Sequence, residues 1–98
     1  MNEHDEEKII LLQRAAFGRE VDEFWGSRIG GYLQDRAREC YTAAILELKT
    51  VDAEDTKKIR HLQNEVWKAE MVEKWLSEVI LDGIKALELL EGNDNEAE

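Results

Sequence analysis

Residues 59–76 read IRHLQNEVWKAEMVEKWL, and this stretch decides the fold. At about 100° per residue, Ile59, Leu62, Val66, Ala69 and Leu76 fall on one broad face. The same face continues downstream through Ile80, Ile84 and Leu87. Trp67, Met71 and Trp75, at i, i+4 and i+8, lie well to its side, so the segment carries two apolar stripes. No alternating run of β-branched residues competes with this period. The spacing predicts a helix from Ala53 to about Glu91. Asp52 is expected as its N-cap, Glu54 and Asp55 as an acidic first turn, and Gly92 as its stop.

Upstream, Ile29, Leu33, Ala37, Cys40, Ala44 and Leu48 recur at steps of three and four, with Tyr32, Tyr41 and Ile45 widening the stripe. This predicts a second helix over Ser27–Lys49. Only Thr50-Val51-Asp52 separate it from the long helix, and a link that short turns the chain straight back, so the two lie antiparallel. Gly30-Gly31 implies a close helix crossing or a kink. A phosphate-cradling loop would need a preceding strand and a lysine at set spacing.

A third helical segment precedes these, from Asp5 to Trp25, with Ile9, Leu12, Ala16, Val21, Phe24 and Trp25 on its apolar side and Phe17-Gly18 loosening its middle. Gly26 is the expected left-handed stop and Ser27 the next N-cap. The fold expected is all-α: a long antiparallel helical hairpin with an N-terminal third helix. Residues 1–98 form a single helical domain with an ordered body of about 8–91 and frayed acidic tails at 1–7 and 92–98.

Composition agrees. Of 98 residues, 43% are apolar and 37% charged, and proline is absent, so long helices are permitted. The net charge is −10. Glu3, Asp5, Glu6, Glu7, Glu91, Asp94, Glu96 and Glu98 place most of it in the tails. Direct nucleic-acid binding is disfavoured, because phosphate contacts need clustered lysine and arginine. The cluster Lys57, Lys58, Arg60 and His61 follows Asp52, Glu54 and Asp55 closely enough for a local salt-bridge network. The N-terminus does not read as a signal peptide, and no run approaches the roughly 20 apolar residues that span a bilayer. One cysteine, Cys40, precludes an intramolecular disulfide and fits a reducing compartment. Its place on the apolar stripe predicts a buried small hydrophobe.

Catalysis finds no constellation. His4 and His61 are the only histidines, Ser27 is spent as a cap, and no nucleophile, base and orienting acid come together. His61 and Glu65, one turn apart, are better read as a surface pair than as metal ligands; a helical di-metal site would want a Glu where Lys58 stands. No cofactor or metal is expected. The second apolar stripe is the candidate site. Trp67, Met71 and Trp75 form a protein-contact surface, with Phe24 and Trp25 as possible intramolecular cover if the first helix folds back. A second copy of the chain or another protein is the competing cover, and oligomerisation is favoured because so long a helix has little core.

Phe17-Gly18-Arg19-Glu20-Val21, then Phe24-Trp25, Ile29-Gly30 and Tyr32-Leu33, and later Leu62-Gln63-Asn64, Trp75-Leu76, Gly83 and Ala86-Leu87, resemble the pattern of small uncharacterised helical proteins of tailed bacteriophages and prophages. The resemblance covers residues 12–90. It implies a phage context and carries over no site residues. Together with the apolar flank of Trp67, Met71 and Trp75 and the absence of a catalytic constellation, the function expected is non-enzymatic: self-association and contact with another phage or host protein in virion assembly, at the head, the head–tail junction or packaging. The protein would reside in the host cytoplasm or the virion. The alternative is a small acidic inhibitor of a host defence or nucleic-acid enzyme.

Overall fold

The computed structural model describes residues 2–96, and the side chains of residues 2–92. It is all-α, with α1 over Glu3–Trp25, α2 over Arg28–Thr50 and α3 over Thr56–Glu96. Among the described residues there is no strand. The hairpin of α2 and α3 and the third helix α1 are those the periodicity predicts, but the boundaries differ in instructive ways.

The helices reach further into the acidic ends than expected. The Asn2 side chain accepts the Asp5 backbone N–H at 2.9 Å and caps α1. Glu3, Asp5 and Glu6 thus sit in its first turn, where the helix dipole favours negative charge. At the other end α3 runs past Gly92 to Glu96; a glycine costs a helix about 1 kcal/mol but does not break it. Gly26 is not a left-handed stop. It has φ −83° and ψ −4°. The chain leaves α1 because Ser27 is extended, at φ −77° and ψ 170°, while its hydroxyl accepts the Gly30 N–H at 3.1 Å and caps α2 as expected. Before α3 the cap falls three residues later than predicted. Asp52 accepts from the Glu54 N–H at 2.9 Å and shapes the turn, and Asp55 accepts from the Lys58 N–H at 3.1 Å. Two aspartates three apart each can cap, and the tighter turn selects the second.

The chain divides into two compact units: residues 1–26 with 76–98, and residues 27–75. In the first unit α1 packs antiparallel on the later part of α3. The contact is backbone to backbone. A Cβ on Gly18 would lie 2.8 Å from the Cα of Gly83 and 3.0 Å from the Val79 carbonyl oxygen; one on Gly83 would lie 2.8 Å from the Cα of Gly18 and 3.2 Å from the Arg14 carbonyl oxygen. One to two turns along, Leu11, Ala86 and Leu90 form the buried cluster, with Ala15 packed on it. Arg14 clamps the same crossing through a two-pronged pair to Asp82, Nε to Oδ2 at 3.0 Å and Nη2 to Oδ1 at 2.7 Å. The guanidinium holds the Asp82 carboxyl below its ordinary range by hydrogen bonding, and the carboxylate raises Arg14 in turn.

This seam differs from the predicted stripes. Gly18, Leu11 and Ala15 replace Ile9, Leu12 and Ala16 on α1, and Gly83, Ala86 and Leu90 replace Ile84 and Leu87 on α3. Each shift is about one position, roughly 100° of helix rotation. Small residues have little weight in a hydrophobic period, yet they alone permit so close an approach.

The second unit is the hairpin of α2 with residues 56–75 of α3. Ala44 and Leu62 are its buried apolar residues. Ile45, Leu48, Ile59, Val66 and Ala69 are half-buried, and Gly30 is buried. The broad α2 stripe is only partly used. Ile29, Tyr32 and Cys40 are exposed, which corrects the expectation of a buried thiol: two packed helices bury one narrow line each, not a wide face.

The glycine contact predicts opposite outcomes for two alanine substitutions. Gly18→Ala lowers stability by about 1–3 kcal/mol, because overpacking against backbone outweighs the gain in helix propensity. Gly31→Ala, whose Cβ meets nothing within 4 Å, raises stability by roughly 0.5–1 kcal/mol. Denaturant unfolding reads both. Asp82→Asn lowers the unfolding midpoint at neutral pH. The carboxyl is depressed in the folded state, so its contribution is present above the ordinary carboxylate range and disappears as pH falls through the lowered value. The gap between wild type and variant should close on acidification.

Candidate functional site

Two surfaces stand out. On α3 in the second unit, Trp67 and Trp75 project from turns two apart, a rise of about 12 Å along the helix axis. Their rings nevertheless lean together edge-to-face, with centroids 6.5 Å apart and planes at 88°. Such a pair contributes about 0.5–1.5 kcal/mol beyond area burial. Met71 lies between them and is half-buried. Both indoles are 55% exposed, and neighbouring Val72 is 39% exposed. Three of the five expected contact residues therefore share one surface. Phe24 and Trp25 are at the end of α1 in the first unit, where Phe24 is exposed and Trp25 half-buried.

The other surface is a groove in the first unit, where the periodicity implies buried stripes rather than an open cleft. It is lined by Leu12, Ala15, Ala16, Gly18, Arg19 and Asp22 of α1 and by Ile80, Gly83, Ile84 and Leu87 of α3, and encloses about 430 Å³. The glycine crossing makes its floor. Leu12, Ile84 and Leu87, displaced from the seam, are its half-exposed walls. The apolar stripes contain Leu12, Ala16, Ile80, Ile84 and Leu87 but imply that they are buried; that Gly18 and Gly83 meet and leave them beside the seam follows from no local spacing rule.

The two units also differ in charge. Residues 27–75 carry nine basic and nine acidic side chains and are neutral; residues 1–26 and 76–98 carry four basic and fourteen acidic ones, and so the whole net charge of −10. Among the described residues no three or more His, Cys, Asp or Glu side chains converge on a point that could hold a metal ion, and no helix is long and apolar enough to cross a membrane. The arrangement has the means for apolar and electrostatic contact. No protein-family model, curated protein or solved structure matches the chain.

Proposed function

We propose that this is a non-enzymatic protein that works by self-association and contact with another protein, through the flank of α3 formed by Trp67, Met71 and Trp75. The observation that carries the reading is the exposure of both indoles at 55% on a unit of zero net charge. Tryptophan and methionine are enriched at interface centres, and a neutral surface meets its own copy without repulsion. Covering the exposed halves of two tryptophans removes roughly 200 Å² per copy, or about 5 kcal/mol, and about twice that in a symmetric pair. Association costs an estimated 4–15 kcal/mol. The two are comparable, which fits reversible self-association rather than a permanent dimer.

We propose virion assembly as the setting of this contact, at the head, the head–tail junction or packaging, within the host cytoplasm or the particle itself; the resemblance to tailed-phage proteins supports a phage context and nothing finer. A second reading, an acidic inhibitor of a host defence or nucleic-acid enzyme, is favoured by one observation, the concentration of all net charge in the first unit.

Trp67→Ala combined with Trp75→Ala should convert a multimer to a monomer in sedimentation equilibrium, with helicity by circular dichroism unchanged. A wild-type chain that is monomeric throughout the micromolar range, or a variant of unaltered mass, would overturn the assignment.

A further inference from the structure

We propose that the groove between α1 and the later part of α3 takes a cationic amphipathic helix from a partner protein. This goes beyond the tryptophan contact: it concerns another surface, in the other unit, and a partner of different chemistry.

The groove has the dimensions of a helix site. Its α1 wall, Leu12 to Asp22, rises about 15 Å and its α3 wall, Ile80 to Leu87, about 10 Å. That admits two to three turns of a helix laid along it, anchored by apolar residues at i, i+3 or i+4, and i+7. Leu12, Ile84 and Leu87 are 52%, 49% and 50% exposed, so each offers half its surface to such anchors. The floor of Ala15, Ala16, Gly18 and Gly83 leaves room for them, because these residues have small side chains or none.

Charge selects the occupant. The unit that contains the groove holds fourteen acidic and four basic side chains. Arg19 is the one basic residue in the lining, and it pairs with Glu23 at 3.5 Å. Asp22 is in the lining itself; one helical turn beyond Leu87 stands Glu91, and Glu88 follows Leu87 directly, both exposed, while Lys8, one turn before Leu12 on the other wall, is a further basic residue at that end. A helix with apolar residues on one side and lysine or arginine on the flanks meets apolar floor and acidic rim together. A second copy of the same unit would bring two bodies of charge −10 within a Debye length, about 8 Å at physiological salt. An anionic helix or a nucleic acid is repelled for the same reason.

The test is fluorescence anisotropy with a labelled amphipathic peptide of about 18 residues built from leucine and lysine, titrated with the full chain. Binding should weaken about tenfold between roughly 0.05 and 0.3 M salt. Ile84→Ser with Leu87→Ser should weaken it about tenfold at either salt, since apolar anchors are lost. Glu88→Gln with Glu91→Gln, at exposed positions that leave the seam intact, should weaken it only at low salt. Trp67→Ala with Trp75→Ala should leave it unchanged, so failure here and failure of the tryptophan contact are separate results. The proposal is overturned if a peptide with glutamate in place of lysine binds equally well, if both groove variants bind as wild type, or if the tryptophan variant is the one that loses binding. It is also overturned if the wild-type chain ignores the peptide and sediments as a dimer that Ile84→Ser with Leu87→Ser dissociates, which would make a second copy the occupant.

Discussion

Gly18 and Gly83 touch backbone to backbone, 65 positions apart in the chain, and the first unit is organised around that contact. Without Cβ atoms the axes of α1 and α3 approach until neither glycine has room for one beside the other helix's backbone. The approach fixes which side of each helix is the seam. It buries Leu11, Ala86 and Leu90 and aligns Arg14 with Asp82. It also leaves Leu12, Ile84 and Leu87 beside the seam rather than within it. The groove is therefore a by-product of close packing: residues with large side chains stand as walls because residues without them occupy the floor.

The two units solve the problem of a small core differently. The first closes on backbone contact and a charge-assisted clamp; the second relies on a hairpin with Ala44 and Leu62 at its centre. Neither buries much, and large apolar residues remain exposed along all three helices; the paired indoles and the groove walls are two places where several of them adjoin. Grouping is what distinguishes a contact surface from the ordinary apolar fraction of a protein exterior. The separation of charge adds a second distinction. One unit is neutral and bears aromatic side chains, the other is acidic and bears a groove, so the two surfaces differ in chemistry.

Much of the candidate site was legible beforehand. Trp67, Met71 and Trp75 are locally spaced, and a helical period places them on one flank whatever the rest of the chain does. The groove was not legible, because its walls come from helices distant in sequence and its floor from glycine and alanine. A hydrophobic period counts large apolar residues as core, and so Leu12, Ile84 and Leu87 read as buried. The same bias assigned Cys40 and Ile29 to a core that a two-helix unit does not provide.

Periodicity, capping residues and the absence of proline determined on their own that the chain is helical, where its three helices lie to within a few residues, and that the second and third form a hairpin. These are local properties, set by backbone dihedrals and by neighbours three and four positions away. Which face of each helix is buried, where the net charge gathers and where a groove opens were decided only in the tertiary structure. They depend on how closely two helices can approach, and that distance is set by the absence of two side chains that no local pattern records.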